Sequence, residues 1–292
     1  MASDLATHFG AFNCLFTERQ GDGRRLALQG AKEGRQLVIA CGGDGTISEV
    51  ANGILESGMD VELGILPSGT GGDFRRTLNI PTRAADAARA LRGGHTRRID
   101  VGRATYLNHS GAEETRYFLG VASLGMSTDI IERVKANDSR WLPVAGSGWL
   151  GGKLSFAVAT AQSTLASLKT TVSVQLDEGL ERRLLVSNLC IANARYFGGG
   201  MKVAPEALLD DGQFDVITIG DLGALRILSN AHKLYRGTHL ELEDVHQSRA
   251  RLVTVHAAGK ERAVAIEIDG ELPGRLPATF EILPKALRVR CP

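Results

Sequence analysis

The sequence has few of the features that mark particular classes of protein. Its 292 residues include 4 cysteines, whose spacing fits neither a metal site nor a disulfide framework, so we expect buried thiols in a reducing cytoplasm. The formal net charge is +1, which argues against a nucleic-acid partner. No apolar run is long enough to cross a membrane, and the first residues lack the basic start and apolar core of a signal peptide.

The chain does contain a glycine-rich turn between a predicted strand and a predicted helix, in the stretch LVIACGGDGTISEVAN at residues 37–52. The apolar run Leu37–Ala40 is typical of a buried parallel strand. The glycines let a ligand approach the main chain, and Thr46 or Ser48 could cap the helix. Strand, turn and helix N-terminus together indicate a phosphate site, because free amides and the helix dipole favour an anion. Such a turn is also common without a ligand, and this one matches neither the Walker nor the dinucleotide spacing.

A second glycine-rich loop, PSGTGGD at residues 67–73, follows the predicted strand Val61–Leu66 and precedes a predicted helix from Phe74 to Leu78. Two successive strand–loop–helix units predict a parallel sheet with both loops at its carboxyl edge, where open α/β sheets bind ligands. The stretch Phe12–Thr17 is also predicted as a strand.

After an Ala-rich helix at residues 82–91 the chain becomes rich in short strand-like runs, so we place a domain boundary near residues 94–98. We expect a mainly β, sandwich-like second domain. Its predicted strands are Ile99–Ala104, Arg116–Val121, Thr171–Leu176, Leu184–Asn193, Phe214–Ile219, Leu252–Val255 and Val264–Ile268.

Helices are predicted within the second domain at Ser127–Ala136, Leu150–Leu168 and Leu222–Tyr235. Trp141 and Trp149 lie in a glycine-rich apolar stretch before the second of these helices. We favour core packing for both tryptophans, with a lipid-contacting flap as the alternative.

Two acidic turns are candidate functional sites. Asp210 and Asp211 precede a predicted strand; adjacent acids in a turn are usually solvated, but they also suit a hard cation. Glu271 follows the turn Asp269–Gly270, and its local sequence is typical of a surface hairpin. Three histidines occur at intervals of seven residues: His232, His239 and His246. We interpret this spacing as coincidence rather than as a zinc site, since Gly237 interrupts any single helix that could contain them.

The segment GGDGT followed by ISEV resembles the signature of the diacylglycerol kinase catalytic family, which includes bacterial lipid kinases, sphingosine kinases and ceramide kinases and is distantly related to NAD kinases. FTERQGDGRRLA, LPSGTGGDFRRTL and FEILPKALRV resemble further family segments, so the resemblance extends from about Thr17 to the C-terminus. The sequence departs from the family at Gly72, where Asn is usual, and at its start, where an earlier strand and an Asn-Pro turn are not visible.

The resemblance implies an α/β N-terminal domain with a parallel sheet, of the NAD kinase and diacylglycerol kinase type, and a mainly β sandwich-like C-terminal domain with inserted helices. We expect a nucleotide-binding domain at residues 1–96, to which the tail 284–292 returns, and a lipid-acceptor domain at 97–283. The implied activity is transfer of the γ-phosphate of ATP to the hydroxyl of a diacylglycerol-like lipid, with Glu271 as general base and Asp44 as a second catalytic residue.

The resemblance also implies the ligands. The nucleotide-binding residues would be Thr17, Gly43, Asp44, Gly45, Thr46, Ile47, Ser48, Glu49, Thr70 and Asp73. A Mg2+ ion would be held by the Asp211 carboxylate and by the main-chain carbonyls of Leu208 and Gln213. The protein would be cytoplasmic and would contact the inner membrane face transiently, as a monomer or a homodimer.

Two alternatives stay open at this point. The acceptor could be another lipid alcohol such as a sphingoid, or NAD, although the Asn-Glu pair of NAD kinases is not visible. The protein could also be a nucleotide- or lipid-binding module without catalysis, given the departures from the family pattern.

Overall fold

The N-terminal part is built from two strand–loop–helix units, as predicted. The computed structural model describes residues 6–8, 10, 12–68, 72–135, 169–222, 224–259 and 263–292. Strands β1 and β2 pair in parallel, so the loops that follow them are neighbours, and the Ser68 amide donates to the Gly42 carbonyl at 3.0 Å. The elements of this part are α1 (Asp22–Lys32), β1 (Leu37–Gly42), α2 (Asp44–Ser57), β2 (Glu62–Pro67), α3 (Asp73–Thr77) and α4 (Ala84–Gly93).

The rest of the chain is mainly antiparallel sheet with helices set against it, which confirms the predicted fold class. The central path of strands runs in the order β10-β9-β8-β5-β12-β13-β11-β6-β7; off this path, β3 pairs with β13 and β4 pairs with β3. The elements are β3 (His95–Asn108), β4 (Glu113–Phe118), β5 (Val121–Gly125), α5 (Met126–Lys135), β6 (Thr170–Leu176), β7 (Arg182–Val186), β8 (Asn188–Ala192), β9 (Phe214–Ile219), α6 (Ala224–Arg236), β10 (Val245–Ala250), β11 (Leu252–Ala257), β12 (Ala265–Ile268) and β13 (Glu271–Cys291).

Strand β13 connects the two parts of the molecule. It pairs antiparallel with β12, β11 and β3, and its last residues then pair in parallel with β2, where Arg288 faces Glu62. One continuous strand therefore contributes to the sheet beside the glycine-rich loops and to the body of the β domain.

Each part has its own apolar core. In the first, α1 packs so closely on α2 that a Cβ on Gly53 would lie 2.2 Å from the Arg24 carbonyl oxygen. In the second, Phe118 stacks on Phe214 at 5.6 Å between ring centroids and meets Phe280 edge-on at 6.3 Å. These contacts fix the helices and strands that surround the site.

Three strand predictions are wrong in whole or in part. The stretch Phe12–Thr17 has no strand structure, and Leu15 and Phe16 are 66% and 84% exposed. The predicted strand at 116–121 is divided because the chain turns at Leu119–Gly120, between β4 and β5. The predicted strand at 184–193 is divided at Ser187, between β7 and β8.

The helices predicted at 127–136 and 222–235 are confirmed as α5 and α6, within one or two residues. Strand β10 was not predicted. Trp141, Trp149 and the helix predicted at 150–168 lie outside the described residues.

Candidate active site

The first glycine-rich turn brings β1 directly to the N-terminus of α2. Gly42 has no room for a side chain, because a Cβ there would lie 2.4 Å from the Thr46 Oγ1. A Cβ on Gly45, in contrast, would meet nothing within 4 Å, so the main chain there is open. Gly43 is the N-cap and brings no side chain to the first amides of α2. Among the residues that the structure describes, none occupies this helix N-terminus, which is therefore available to an anion.

Asp44 connects the two glycine-rich loops. Its carboxylate accepts the amides of Gly72, Asp73 and Phe74 at 2.8, 3.0 and 3.2 Å. These are the first amides of α3, so Asp44 caps that helix from a different element and fixes the second loop against the first.

Glu49 has the corresponding role at α1. Its two carboxylate oxygens accept the amides of Gly21 and Gly23 at 2.8 and 2.9 Å. The N-termini of α1 and α3 are thus occupied by carboxylates of the protein itself, and that of α2 is the one left open by these contacts.

The other residues predicted to bind nucleotide are distributed as follows. Ile47 and Ser48 are buried on α2 and face a cavity described below. Thr17 is exposed in the irregular segment before α1, and Thr70 lies outside the described residues.

Asp73 joins the second loop to the β domain. It forms an ion pair with Arg76 at 2.6 Å and accepts the Gly199 amide at 2.7 Å. Burial raises the pKa of the Asp73 carboxyl, and the charge of Asp44 acts in the same direction, against the Gly199 amide and Arg76. The glycine turn at 198–200 is thereby held over the loop.

A cavity of about 400 Å³ extends from these loops into the β domain. Its walls come from both parts of the molecule and are mostly apolar. Carboxylates line the cavity where it meets the loops: Asp44, Asp73 and Asp269. The apolar lining includes Ile47, Phe74, Leu119, Val121, Met126, Ile130, Ile131, Phe197, Met201, Val203, Ile219, Ile227, Leu234 and Tyr235.

Asp269 was considered only as a turn residue in the sequence, but it lines this cavity. Its carboxylate accepts the amides of Leu119 and Gly120 at 3.1 and 2.9 Å. Burial raises the pKa of the Asp269 carboxyl, although the two amides and the charge of Arg116 oppose the rise. The sequence does contain a signal for Asp269, because this residue is only two positions before Glu271, the predicted general base.

Glu271 is partly buried and has two partners. One oxygen forms an ion pair with Arg116 of β4 at 2.8 Å, and the other accepts the Gln20 side-chain amide at 2.8 Å. Burial disfavours the charged form of Arg116, but the hydrogen bond and charge of Glu271 outweigh it and raise the pKa of the guanidinium. Neither Arg116 nor Gln20 was predicted from the sequence, because each is distant from Glu271 along the chain.

The predicted magnesium residues lie in the loop before β9. One oxygen of Asp211 accepts the Gln213 amide at 3.1 Å, and the other lies 3.9 Å from the Arg249 guanidinium. Leu208 is exposed. One carboxylate and two carbonyls on a partly exposed loop fit a cation that keeps several of its water ligands, as magnesium does. The site stays a prediction.

A zinc site from the three evenly spaced histidines is not found among the described residues, where no group of three or more His, Cys, Asp or Glu could hold a metal. His239 is buried with its Nε2 at 3.0 Å from the Val203 carbonyl, and burial lowers its pKa.

Comparisons with known proteins agree with this architecture. Residues 1–104 match the family model of the diacylglycerol kinase catalytic domain, and residues 122–291 match that of the YegS C-terminal NAD kinase beta sandwich-like domain. A diacylglycerol kinase of Mycobacterium tuberculosis is 30% identical over 275 residues, which are 93% of this chain and 82% of that one. A diacylglycerol kinase of Staphylococcus saprophyticus is 29% identical over 284 residues, 94% and 83% of the two chains.

The crystal structure of a diacylglycerol kinase from Bacillus anthracis superimposes with a TM-score of 0.74 at 25% identity, covering 99% of this chain and 88% of that one. Among the described residues, no helix is both long and apolar enough to span a membrane. Two family models that together match most of the chain, and relatives of nearly full coverage, lead to one conclusion: the chain belongs to the diacylglycerol kinase family and is a lipid kinase of that type.

Proposed function

We propose that this kinase transfers the γ-phosphate of ATP to the free hydroxyl of a diacylglycerol-like lipid. One observation supports this most strongly: a mostly apolar cavity begins beside an open helix N-terminus. The first feature suits a lipid chain and the second suits a phosphate. Their adjacency is what transfer between a nucleotide and a lipid requires.

The phosphates of ATP would be held by main-chain amides at Gly43, Gly45 and Thr46. The two glycines suit the task because a side chain at either position would exclude the phosphate. Thr17 and Thr70 would contact the rest of the nucleotide. Magnesium would neutralise phosphate charge, and Asp73, the carboxylate of the second loop, could contribute to its binding.

The lipid chain would occupy the cavity. Burial of apolar surface contributes about 25 cal/mol per Å² of binding free energy, so an acyl chain would bind this apolar cavity more tightly than a polar ligand of similar size. NAD is a poorer candidate, because its phosphates and riboses would lack hydrogen-bond partners against these walls. The lipid must leave a bilayer to enter, so membrane contact would be peripheral and transient.

Glu271 is the proposed general base. A carboxylate has about four lone-pair positions, and Arg116 and Gln20 occupy two of them, which leaves capacity to accept a proton from the lipid hydroxyl. Arg116 would keep the carboxylate oriented. If the lipid hydroxyl replaced the Gln20 amide as the hydrogen-bond donor to Glu271, the base and the acceptor hydroxyl would be in direct contact.

The test is transfer of labelled phosphate from ATP to diacylglycerol, sphingosine and NAD in parallel. We expect label on diacylglycerol, and we expect Glu271→Gln to lower the rate about 10²- to 10⁴-fold. Glu281→Gln is the matched control, since Glu281 is on the same strand and also pairs with an arginine, Arg103, but is ten residues further from the cavity-lining turn Asp269–Gly270. An undiminished rate in Glu271→Gln would remove the assigned base. Label only on sphingosine or NAD would refute the acceptor, and nucleotide binding without any transfer would indicate a binding module.

A further inference from the structure

The wall of the apolar cavity contains a polar notch formed by Ser127 and Asn188. Ser127 is in the first turn of α5, and Asn188 is the first residue of β8. Both line the cavity, and they are only 6% and 5% exposed. Two hydrogen-bonding side chains buried in an apolar wall need partners there, because an unmade hydrogen bond is costly.

Among the described residues, the hydrogen bonds of Asn188 leave one hydrogen of its side-chain amide unused. Its Oδ1 accepts the main-chain amide of Ser127 at 3.0 Å, which fixes the orientation of the side chain. Within the described part of the chain, the partner of its Nδ2 is the Cys190 Sγ at 3.1 Å, a weak acceptor. An amide nitrogen has two hydrogens, so one remains available to a ligand in the cavity.

The neighbouring hydroxyl is fixed by a fully buried carboxylate. Ser123 donates its hydroxyl hydrogen to Glu267, so its oxygen is left to accept the hydrogen of Ser127 at 2.8 Å. Ser127 therefore presents lone pairs to the cavity, whereas Asn188 presents a donor. The notch combines one donor with one acceptor in a fixed arrangement.

The same chain of hydrogen bonds sets the distance from the notch to the proposed reaction site. Glu267 also accepts the Gly270 amide at 2.5 Å, so three hydrogen bonds and one carboxylate separate Gly270 from Ser127. At about 2.5–3 Å per bond, the Ser127 hydroxyl lies within roughly 10 Å of the turn. In a diacylglycerol, about five bonds or roughly 6 Å separate the free hydroxyl oxygen from the carbonyl oxygen of the adjacent ester. An acceptor hydroxyl near the turn can thus place its ester at the notch.

We propose that the Asn188 amide donates a hydrogen bond to the acyl carbonyl of the acceptor lipid, which makes the kinase selective for acyl lipids over ether lipids and sphingoid bases. The inference rests on the proposed function for the position of the hydroxyl. Ether lipids and sphingoid bases lack the carbonyl, so they would leave the amide hydrogen unpaired in an apolar cavity.

The test compares 1,2-dioctanoylglycerol with 1,2-dioctylglycerol, its diether analogue, as phosphate acceptors. We expect the wild-type protein to prefer the ester about 10-fold in kcat/KM, as one hydrogen bond allows, and Asn188→Leu to remove this preference. The control is Thr128→Val, because Thr128 is equally buried at the start of α5 and bonds the Gly125 carbonyl without lining the cavity. It should keep the wild-type ratio.

Asn188→Ala is the second variant, for use if Asn188→Leu does not fold. It also removes the donor, and its smaller side chain cannot overlap the residues around it. An unchanged ester-to-ether ratio in a folded Asn188 variant would overturn the proposal. Calorimetric titration of the same two lipids without nucleotide separates the two hypotheses. An ester preference in binding that the variant loses would support the inference even if no lipid were phosphorylated, and equal binding of ester and ether by the wild-type protein would refute it.

Discussion

The substitution Asp44→Asn tests whether Asp44 acts by holding the two glycine-rich loops together. An asparagine keeps one oxygen but places an NH2 group where the carboxylate now accepts main-chain amides. Oδ2 accepts the amides of Gly72 and Asp73, and Oδ1 accepts that of Phe74. If the asparagine oxygen takes the position of Oδ2, the hydrogen bond from Phe74 is lost. If it takes the position of Oδ1, the hydrogen bonds from Gly72 and Asp73 are both lost.

The size of the effect follows from the charge of the acceptor. The asparagine can turn so that it loses only one of these hydrogen bonds, and the two that remain then have a neutral acceptor. A hydrogen bond to a charged group contributes about 1.5–3 kcal/mol and one to a neutral group about 0.5–1.5 kcal/mol, so the two changes together should weaken the loop at this partly exposed site by about 3 kcal/mol. Because 1.4 kcal/mol is tenfold, the amides at residues 72–74 should exchange with solvent roughly 100-fold faster.

Hydrogen exchange read by mass spectrometry measures this directly, together with ATP affinity. We expect faster exchange at residues 72–74 and an ATP Kd raised about 10-fold, because the loop beside the phosphate site is no longer fixed. Asp60→Asn is the matched control: Asp60 is exposed and pairs with Arg98 and Arg288, so exchange at 72–74 should not change. If Asp44→Asn lowered kcat while exchange stayed within about threefold of wild type, the positioning role would be refuted and a direct catalytic role favoured.

Two further predictions concern stability. Because burial raises the pKa of Asp269 above 3.8, the folded protein binds its proton more readily than the unfolded chain, so stability falls as pH rises through the raised pKa. Asp269→Asn loses the hydrogen bond to one of the two main-chain amides at every pH, but it removes the buried charge, so its melting temperature relative to wild type should be higher at about pH 7 than at about pH 4.5; an equal difference at both pH values would contradict this. Gly53→Ala should cost about 1–3 kcal/mol, because its Cβ would overlap the Arg24 carbonyl, whereas Gly93→Ala, with nothing within 4 Å, should be neutral or stabilising in the same thermal assay.

The parts of the fold predicted correctly are those that neighbouring residues specify. Strand β1, the glycine turn and helix α2 follow one another within about 20 residues, and their signals are an apolar run, three glycines and a helical pattern. Phe12–Thr17 has similar apolar character but is not a strand in the structure. A strand needs a partner for its amides and carbonyls, and local sequence does not report whether one is present.

The parts of the candidate site that sequence reasoning missed depend on distant residues. Asp269 accepts the Gly120 amide, 149 residues away, and Glu271 pairs with Arg116, 155 residues away. In the sequence both carboxylates belong to an ordinary hairpin turn. Their burial and partners come from the pairing of β12 with β5 and of β13 with β3, which positions that turn against the first domain.

The carboxylates near the glycine-rich loops explain why one helix N-terminus and not another is available to a phosphate. Asp44 and Glu49 are both on α2, yet each caps a different helix, α3 and α1 respectively. Each of those N-termini would otherwise attract an anion by the same dipole and free amides as α2. By satisfying them internally, the segment that forms the open site also removes its two nearest competitors. Asp44 and Glu49 would thus contribute to the proposed nucleotide site by keeping these two helix N-termini occupied, without contact between either carboxylate and the nucleotide.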